Sequence, residues 1–202
     1  NMSVSYIKNI TQKDFNLIIH LAAEAGVRAS LKNPIKFVNQ NISNTIRIFE
    51  FAKDNNISKV FYASSSSIYG ENNIYPSKEK DGFNKPLSIY GLTKSTNELT
   101  AYYYKTVFNI SSIGFRFFTV YGPFGRPDMS INIFFNSLVK NNFIKLSHFG
   151  NIRRDYTYID DITNYIYASY IKAKKLKKFQ LVFNIGGQKN ILLKDLVKLM
   201  EK

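Results

Sequence analysis

Tyr90 and Lys94 form a Tyr-x-x-x-Lys pair downstream of the serine cluster Ser64 to Ser67, which directly continues an apolar run. If residues 90 to 94 are helical, the phenol and the ammonium lie one turn apart on one face, where the cation favours the phenolate. A serine hydroxyl fixed at the end of a strand can relay a proton between a substrate hydroxyl and that tyrosine. The spacing therefore predicts a tyrosine base that works near neutral pH.

The same pattern occurs a second time, so the motif alone is weak. A lysine-rich chain with 14 tyrosines contains about one or two such matches by chance. Tyr170 and Lys174 are that second match, but no serine-ended strand precedes them at a suitable distance. Four serines in a row usually form a loop. For Tyr90, the alternative interpretation is a surface tyrosine without a catalytic role. The apolar run before the serines favours the site at Tyr90.

Arginines supply candidate anion-binding residues. Arg126 lies in the turn-forming segment 122–127, and Arg153 and Arg154 are adjacent further along the chain. Guanidinium groups hold phosphates and carboxylates through paired hydrogen bonds, and surface charge is the alternative interpretation. A serine hydrolase is disfavoured, because the chain has no G-x-S-x-G segment and neither histidine has the context of a catalytic triad.

Composition predicts a folded globular protein. Hydrophobic residues make up 45% of the 202 positions, and no apolar run reaches the length of a membrane span. The first twenty residues lack the pattern of a signal peptide, so we expect a cytoplasmic location and no membrane partner. The chain has no cysteine, and the isolated His20 and His148 lack metal-ligand spacing, so we expect no metal site.

The net charge of +14 raises the alternative of a nucleic-acid surface. The lysines are scattered along the chain and accompany many Asn and Ile residues. This indicates a general bias in amino-acid composition and not a nucleic-acid surface. The densest basic stretch, residues 172–178, follows an apolar helical run and precedes a strand. A solvated helix end, where cations suit the helix dipole, is the favoured interpretation, and we expect no nucleic-acid partner.

The elements that must position these residues alternate between strands and helices. The predicted strands and helices of the first part are, in order, 17–22, 35–54, 60–64, 88–108 and 113–120. This alternation predicts a Rossmann-like, doubly wound parallel sheet in residues 1–122. A smaller, mainly substrate-binding α/β region is predicted in residues 123–202, with some elements returning to the sheet. Its expected elements are helices at 131–140 and near 160–175, a strand at 181–185 and a closing helix.

Ligands of such sheets bind beyond the carboxyl ends of the strands, where Ser64 to Ser67 and residues 119–122 are expected. A dinucleotide site also needs a glycine-rich turn after the first strand, where backbone amides and a helix N-terminus meet the pyrophosphate. None of the ten glycines forms a G-x-G-x-x-G or G-x-x-G-x-x-G segment. The sequence therefore lacks the glycine-rich turn that a dinucleotide site needs.

Longer segments extend these motifs and occur in order over nearly the whole chain. They are residues 20–28 (HLAAEAGVR), 64–70 (SSSSIYG), 116–123 (RFFTVYGP), 125–129 (GRPDM) and 154–161 (RDYTYIDD), together with Tyr90 and Lys94. With these segments the chain resembles the extended short-chain dehydrogenases/reductases, and among them the NAD-dependent epimerases and dehydratases of nucleotide sugars. The subgroup that it resembles most is the UDP-glucuronate 4-epimerases.

The resemblance implies roles for individual residues. It makes Tyr90 the catalytic base, Lys94 the residue that binds the nicotinamide ribose and assists Tyr90, and Ser65 the partner of the sugar 4-hydroxyl. Besides Tyr90 and Lys94, the residues implied to line NAD are Ala22, Ala23, Asn41 and Phe117. Arg154 is implied to grip the UDP diphosphate. The residues implied to surround the carboxylated end of the sugar are Ser66, Ser67, Thr119 and Arg126.

The implied reaction is a transient oxidation at C4 of a UDP-sugar, which converts UDP-glucuronate to UDP-galacturonate without net redox change. Dehydratases of the family carry Asp and then Glu directly after the serine or threonine, whereas this chain has Ser66 and Ser67 there. Hydroxyls cannot supply those proton transfers at a comparable pKa. An epimerase is therefore favoured over a dehydratase, and a dehydratase or decarboxylase of the same family is kept as the alternative. A place in polysaccharide biosynthesis is expected.

Members of the family begin with a glycine-rich strand-turn-helix and a second βα unit, whereas this chain opens near the third. The comparison implies a fragment, a split-gene product or a decaying copy that holds NAD poorly by itself. A non-catalytic remnant or interaction protein, which pairs through an exposed sheet edge, is the alternative. Family members usually dimerise through two helices, implied here at 35–54 and 88–108, so a homodimer is expected.

Overall fold

The computed structural model describes residues 15–71, 75–81, 85–187 and 189–201. The first fourteen residues of the predicted N-terminal domain lie outside these ranges. Within them, the strands are β1 Ile18–His20, β2 Lys59–Ser65, β3 Ser111–Phe117, β4 Thr119–Tyr121, β5 Arg153–Tyr158, β6 Gln180–Ile185 and β7 Asn190–Leu192. The α-helices are α1 Val27–Lys32, α2 Pro34–Phe37, α3 Asn44–Asp54, α4 Ile89–Phe108, α5 Ser130–Val139, α6 Ile159–Ala173 and α7 Leu193–Met200.

A four-stranded sheet has the strand order β1-β2-β3-β6. β1 and β2 pair in parallel, with Ile18 opposite Val60 and His20 opposite Tyr62. Val60, Phe61 and Tyr62 are fully buried, as expected for a parallel strand with both faces covered. The predicted α/β fold with a Rossmann-like parallel sheet is confirmed.

The chain divides into two compact units. The first comprises residues 1–115 and 177–183, and the second comprises residues 116–176 and 184–202. The predicted boundary between residues 122 and 123 stays a prediction. β6, which comes from the C-terminal part of the chain, is a strand of the four-stranded sheet.

The helix predicted at 35–54 consists of α2, a π-helical segment and α3 in succession. The wider π-helical turns shift the phase of the helix, so its buried face departs from a regular 3.6-residue pattern. The regular apolar pattern that predicts the buried face consists of Ile35, Val38, Ile42, Ile46 and Phe49. Ile35 and Ile46 are exposed, whereas Phe49 is buried, as is Phe37 outside the pattern. The prediction of the helix is confirmed, and the predicted face is correct at Phe49 and wrong at Ile35 and Ile46.

The core of the first unit lies where α3 and α4 pack on β2. Its buried members are Ile48, Phe49, Ala52, Ile57, Val60, Tyr62, Ala101, Tyr104 and Ile110. The rings of Phe49 and Tyr104 stack with centroids 4.9 Å apart. The Tyr104 hydroxyl also donates to Glu50 Oε1 at 2.6 Å, which ties α4 to α3. Burial and this bond raise the pKa of Tyr104.

α4 matches the helix predicted at 88–108 and has clear signals at both ends. The hydroxyl of the N-cap residue Ser88 accepts a hydrogen bond from the Gly91 amide at 3.0 Å. Asn109 ends the helix in the left-handed conformation, with φ 57°. α4 has 20 residues, but no helix in the described ranges is long and apolar enough to cross a membrane.

The single strand predicted at 113–120 is wrong in one respect, because the structure contains two strands there. β3 stays in the four-stranded sheet, whereas β4 joins a second sheet of order β4-β5-β7. Phe118 lies between the two strands, and its amide donates to the Ile185 carbonyl at 3.2 Å. An unbroken apolar run does not reveal that the two halves have different neighbours.

β5 and β7 were not predicted, because β5 is largely polar and β7 is short. β5 pairs in parallel with β4 and antiparallel with β7. Only the middle of β5, at Tyr156 and Thr157, is buried. The core of this second unit consists of Phe134, Tyr156, Leu193, Leu196 and Val197.

Candidate active site

Tyr90 and Lys94 occupy the first turns of α4, on one face of the helix, as their spacing predicts. The Lys94 side chain is only 2% exposed. Its Nζ donates to the Ala63 carbonyl in β2 at 2.9 Å and lies 5.9 Å from the centre of the Tyr90 ring. Burial lowers the pKa of Lys94 from 10.5 to about 8. The ammonium is therefore available next to the phenol at neutral pH, in surroundings with little water to screen it.

The serine cluster starts a tight turn at the end of β2. Ser65 is the last residue of the strand, and its hydroxyl accepts a hydrogen bond from the Ser67 amide at 3.1 Å. A 3-10 turn follows at Ser66–Tyr69. Ser65 is 5% exposed, whereas Ser66 and Ser67 are half-buried. The strand thus presents a fixed hydroxyl at its carboxyl end.

Gly91 lets this turn lie directly on the first turn of α4. A Cβ atom at Gly91 would come within 2.6 Å of the Ser67 carbonyl oxygen, closer than real contacts allow. The absence of a side chain next to Tyr90 therefore permits the close approach. The structure brings Ser65, Ser66 and Ser67 together with the turn that carries Tyr90.

His20 packs at the end of β1, as expected for a strand-end histidine. It is 8% exposed, and its Nε2 lies 3.3 Å from the Thr45 hydroxyl. Burial, and secondarily the charge of Lys94, lower the pKa of His20 to about 4. The imidazole is therefore neutral at physiological pH and adds no charge beside Lys94.

Asn41 is completely buried and bonded to other parts of the protein. Its Oδ1 accepts from the Glu24 amide at 2.8 Å, and its Nδ2 donates to the Glu24 carbonyl and to the Thr93 hydroxyl, each at 3.0 Å. The Thr93 hydroxyl in turn donates to the Tyr90 carbonyl at 2.8 Å. Asn41 thus ties the loop after β1 to α4. Its implied place beside the cofactor phosphates stays a prediction.

The other residues implied to line NAD lie at the carboxyl ends of strands. Ala22 and Ala23 are exposed directly after β1, and Phe117 is half-buried as the last residue of β3. Small exposed side chains leave the backbone open to a flat ligand, and this edge is where such sheets bind dinucleotides. Ala22 and Ala23 fit the cofactor in this respect, and the place of Phe117 stays a prediction. The part of the chain that the structure describes holds no group of three or more acidic or histidine side chains suited to a metal ion.

The second unit contains Thr119, Arg126 and Arg154. Thr119 is half-buried in β4 and lines a cavity together with Gly122, Gly125 and residues 129–132. Arg126 forms a two-point pair with Asp128, Nε to Oδ1 at 2.9 Å and Nη2 to Oδ2 at 2.8 Å, which lowers the pKa of Asp128. Arg154 is exposed in β5, opposite Ile191 of β7.

One member of the site was not found from the sequence. Glu98 lies on α4, is 3% exposed, and accepts a hydrogen bond from the Ser64 hydroxyl at 2.5 Å. The available signal was its spacing, since Glu98 follows Lys94 by one helical turn and shares its face.

Known proteins share this arrangement. The NAD dependent epimerase/dehydratase family matches residues 3–186. The chain belongs to this family. The resemblance to extended short-chain dehydrogenases/reductases is thereby confirmed.

Several family members are similar over almost the whole chain. An uncharacterized protein of Methanocaldococcus jannaschii is 43% identical over 196 residues, which are 97% of this chain and 59% of that protein. UDP-glucuronate 4-epimerase 4 of Arabidopsis thaliana is 39% identical over 201 residues, with 93% and 46% covered. The crystal structure of UDP-glucuronic acid 4-epimerase from Bacillus cereus, in complex with UDP-glucuronic acid and NAD, superposes with a TM-score of 0.86 at 32% identity. The match covers 96% of this chain and 62% of that one. This family member spans about half to three fifths of the length of these relatives.

Proposed function

We propose that the protein takes part in the 4-epimerisation of UDP-glucuronate to UDP-galacturonate, with NAD as cofactor. The observation that carries the proposal is the buried Lys94 ammonium, held by the Ala63 carbonyl beside the Tyr90 ring. Relatives named UDP-glucuronate 4-epimerase at 38% to 41% identity support the choice of sugar nucleotide. The Bacillus cereus complex supports NAD as the cofactor.

In this reaction Tyr90 accepts the proton of the sugar 4-hydroxyl, which Ser65 holds by a hydrogen bond. Bound NAD supplies reversible hydride acceptance at C4. Lys94 holds the nicotinamide ribose and, as a cation, favours the phenolate of Tyr90. Tyr90 returns its proton when the 4-keto sugar is reduced on the opposite face. The first unit therefore supplies the acid-base groups, and Ala22, Ala23, Asn41 and Phe117 are assigned to the cofactor.

The second unit and the serine turn are assigned to the substrate. Arg154 takes the diphosphate, and the residues proposed for the sugar carboxylate are Ser66, Ser67, Thr119 and Arg126. Arg126 donates two hydrogen bonds to Asp128 in this structure, so binding of the sugar carboxylate requires Arg126 to exchange one carboxylate for the other. Ser66 and Ser67 stand where a dehydratase carries its acid and base, which supports epimerisation over elimination.

The experiment that tests this proposal is incubation of the chain with UDP-glucuronate and NAD+, followed by proton NMR of the sugar anomeric signals. We expect UDP-galacturonate to form, and Tyr90→Phe to lower the rate about a hundredfold or more, since acid-base groups contribute about 10²–10⁴. Tyr170→Phe is the matched control and keeps the wild-type rate. Equal loss in both variants, or no product from the folded wild-type chain with NAD+ bound, contradicts the proposal.

A homodimer is part of the proposal. The outer face of α4 exposes Leu99, Tyr102, Tyr103 and Val107, each at least half exposed. A helical stripe of large apolar side chains suits a self-complementary interface. Light scattering of the purified chain measures its mass directly. A cytoplasmic location and a place in polysaccharide biosynthesis stay predictions.

An interaction role without catalysis is the second candidate. β1 is an outer strand of the described sheet; its residue Ile19 is 46% exposed, and Leu21, which follows it, is 45% exposed. An open apolar strand edge pairs readily with another chain. Binding of NAD+ in a calorimetric titration favours the enzyme, whereas higher assembly without NAD+ binding favours this alternative.

A further inference from the structure

Glu98 is a buried carboxylate that the proposed reaction does not use. It is 3% exposed and lies on α4, one turn after Lys94. A carboxylate is costly to bury unless hydrogen bonds satisfy it. One partner is the Ser64 hydroxyl, itself 1% exposed, which donates to Oε1 at 2.5 Å. A bond of this kind, from a strand to a helix, fixes the two elements against each other.

The bond lies next to the second link between the same two elements. Lys94 donates to the carbonyl of Ala63, and Glu98 accepts from the side chain of Ser64. Two consecutive residues at the end of β2 are thus held by two residues one turn apart on α4. The next residue is Ser65, whose hydroxyl is proposed to hold the sugar. Successive side chains of a strand point to opposite faces, so Ser64 can face α4 while Ser65 serves the site.

We propose that Glu98 is a positioning residue, which acts through Ser64 to hold the end of β2 on α4. The bond keeps the Ser65 hydroxyl in place beside the turn that bears Tyr90 and Lys94. The inference rests on the proposed function for its effect on catalysis. Its effect on the surroundings of Lys94 can be measured without turnover.

Variants can break the bond without changing the charge. Ser64→Ala removes the donor, and Glu98→Asp keeps the carboxylate but shortens the side chain. Ser64→Thr retains a hydroxyl and should preserve the bond. Tyr104→Phe is the matched control, because it removes another hydroxyl-to-carboxylate bond of α4, the one to Glu50. Tyr104 follows Glu98 by about 1.7 turns of the same helix.

The first readout is the kinetics of UDP-glucuronate conversion. We expect Ser64→Ala and Glu98→Asp each to lower kcat about tenfold to a hundredfold, with KM within about twofold, because small misplacements of reacting groups cost rate rather than binding. Combining the two changes should lower kcat no further than the stronger single change, since both remove one bond. Ser64→Thr and Tyr104→Phe should keep kcat near the wild-type value.

The second readout is the titration of Lys94, followed by NMR of the chain with ¹³C-labelled lysine and assigned with Lys94→Arg. Burial lowers the pKa of Lys94 to about 8 in the wild type. Breaking the bond admits water at the end of β2, so this pKa rises in Ser64→Ala and Glu98→Asp. His20, Tyr90 and residue 98 are among the ionisable side chains near Lys94, and neither substitution adds or removes an ionisable group. Tyr104→Phe leaves the titration unchanged.

The two readouts separate failure of the inference from failure of the proposed function. If Ser64→Ala and Glu98→Asp titrate like Tyr104→Phe, or if their effects on kcat add, the inference is overturned. If the folded wild-type chain makes no UDP-galacturonate while the pKa of Lys94 rises in both variants, the positioning by Glu98 holds and the proposed function fails alone.

Discussion

Two Tyr-x-x-x-Lys pairs occur in this molecule, and only one has the surroundings of a site. Tyr90 and Lys94 begin α4, whereas Tyr170 and Lys174 lie at the end of α6. The Lys174 ammonium is nearer its ring than the Lys94 ammonium, 4.4 Å against 5.9 Å. Lys174 is nevertheless exposed, and Lys94 is 2% exposed.

The difference shows that proximity of a cation to a tyrosine is not what makes the pair useful. An exposed cation over a ring contributes only about 0.5–1 kcal/mol. A buried ammonium acts on its neighbours through a medium with little screening, and its position is fixed by a backbone acceptor. Lys94 has both properties because β2 covers it and offers the Ala63 carbonyl. Sequence spacing is identical in the two pairs, so the supporting strand decides between them.

The largest expected difference is in catalysis by the two lysines. Lys94→Ala should lower kcat/KM for UDP-glucuronate by about 10²–10⁴, because the phenolate loses its cation and the cofactor ribose loses a donor. Lys174→Ala should stay within about twofold, as expected for a surface change. Steady-state rates of UDP-galacturonate formation measure both. A Lys94→Ala variant that keeps at least a tenth of the activity contradicts the assignment.

A second difference should appear in the dependence of stability on pH. The pKa of Lys94 is lowered to about 8 in the folded chain, against about 10.4 for an unfolded lysine. Below both values the lysine is charged in both states and burial of the ammonium opposes folding. As the pH rises from about 8 to about 10.4 the unfolded chain binds more protons, so this opposition, about 3 kcal/mol, is removed.

Urea unfolding of the wild type and Lys94→Met at several pH values measures the contribution of Lys94 to the pH dependence of stability. The difference in unfolding free energy between the two proteins should shift by about 3 kcal/mol in favour of the wild type between about pH 7 and about pH 10. The difference in unfolding free energy between the wild type and Lys174→Met should change by less than about 0.5 kcal/mol over the same pH range, because that lysine is exposed. A pH-independent difference for Lys94→Met means that the ammonium is not buried in the folded chain.

The comparison also separates what the sequence could reveal from what it could not. The apolar run 60–64 is a local signal, and β2 and α4 lie within about one residue of the predicted bounds 60–64 and 88–108. The bond of Ser64 to Glu98 joins residues far apart in the chain, and no local pattern encodes it. The π-helical turns before α3 likewise depend on packing, and they moved the buried face away from Ile35.

The smallest expected effect concerns the residue after each tyrosine, Gly91 in one pair and Ile171 in the other. Alanine is a better helix former than glycine by about 1 kcal/mol, so an unobstructed Gly91→Ala would stabilise α4. The new Cβ would instead come within 2.6 Å of the Ser67 carbonyl, a backbone atom that cannot move without the serine turn. We therefore expect the free energy of unfolding, measured by heat or urea, to fall by about 1–2 kcal/mol, the usual cost of overpacking.

The control is Ile171→Ala, at a position 40% exposed, which should lower the free energy of unfolding by less than about 1 kcal/mol. A Gly91→Ala variant that is more stable than the wild type would mean that the serine turn does not rest on α4, and the distinction between the two pairs would then lose its structural basis.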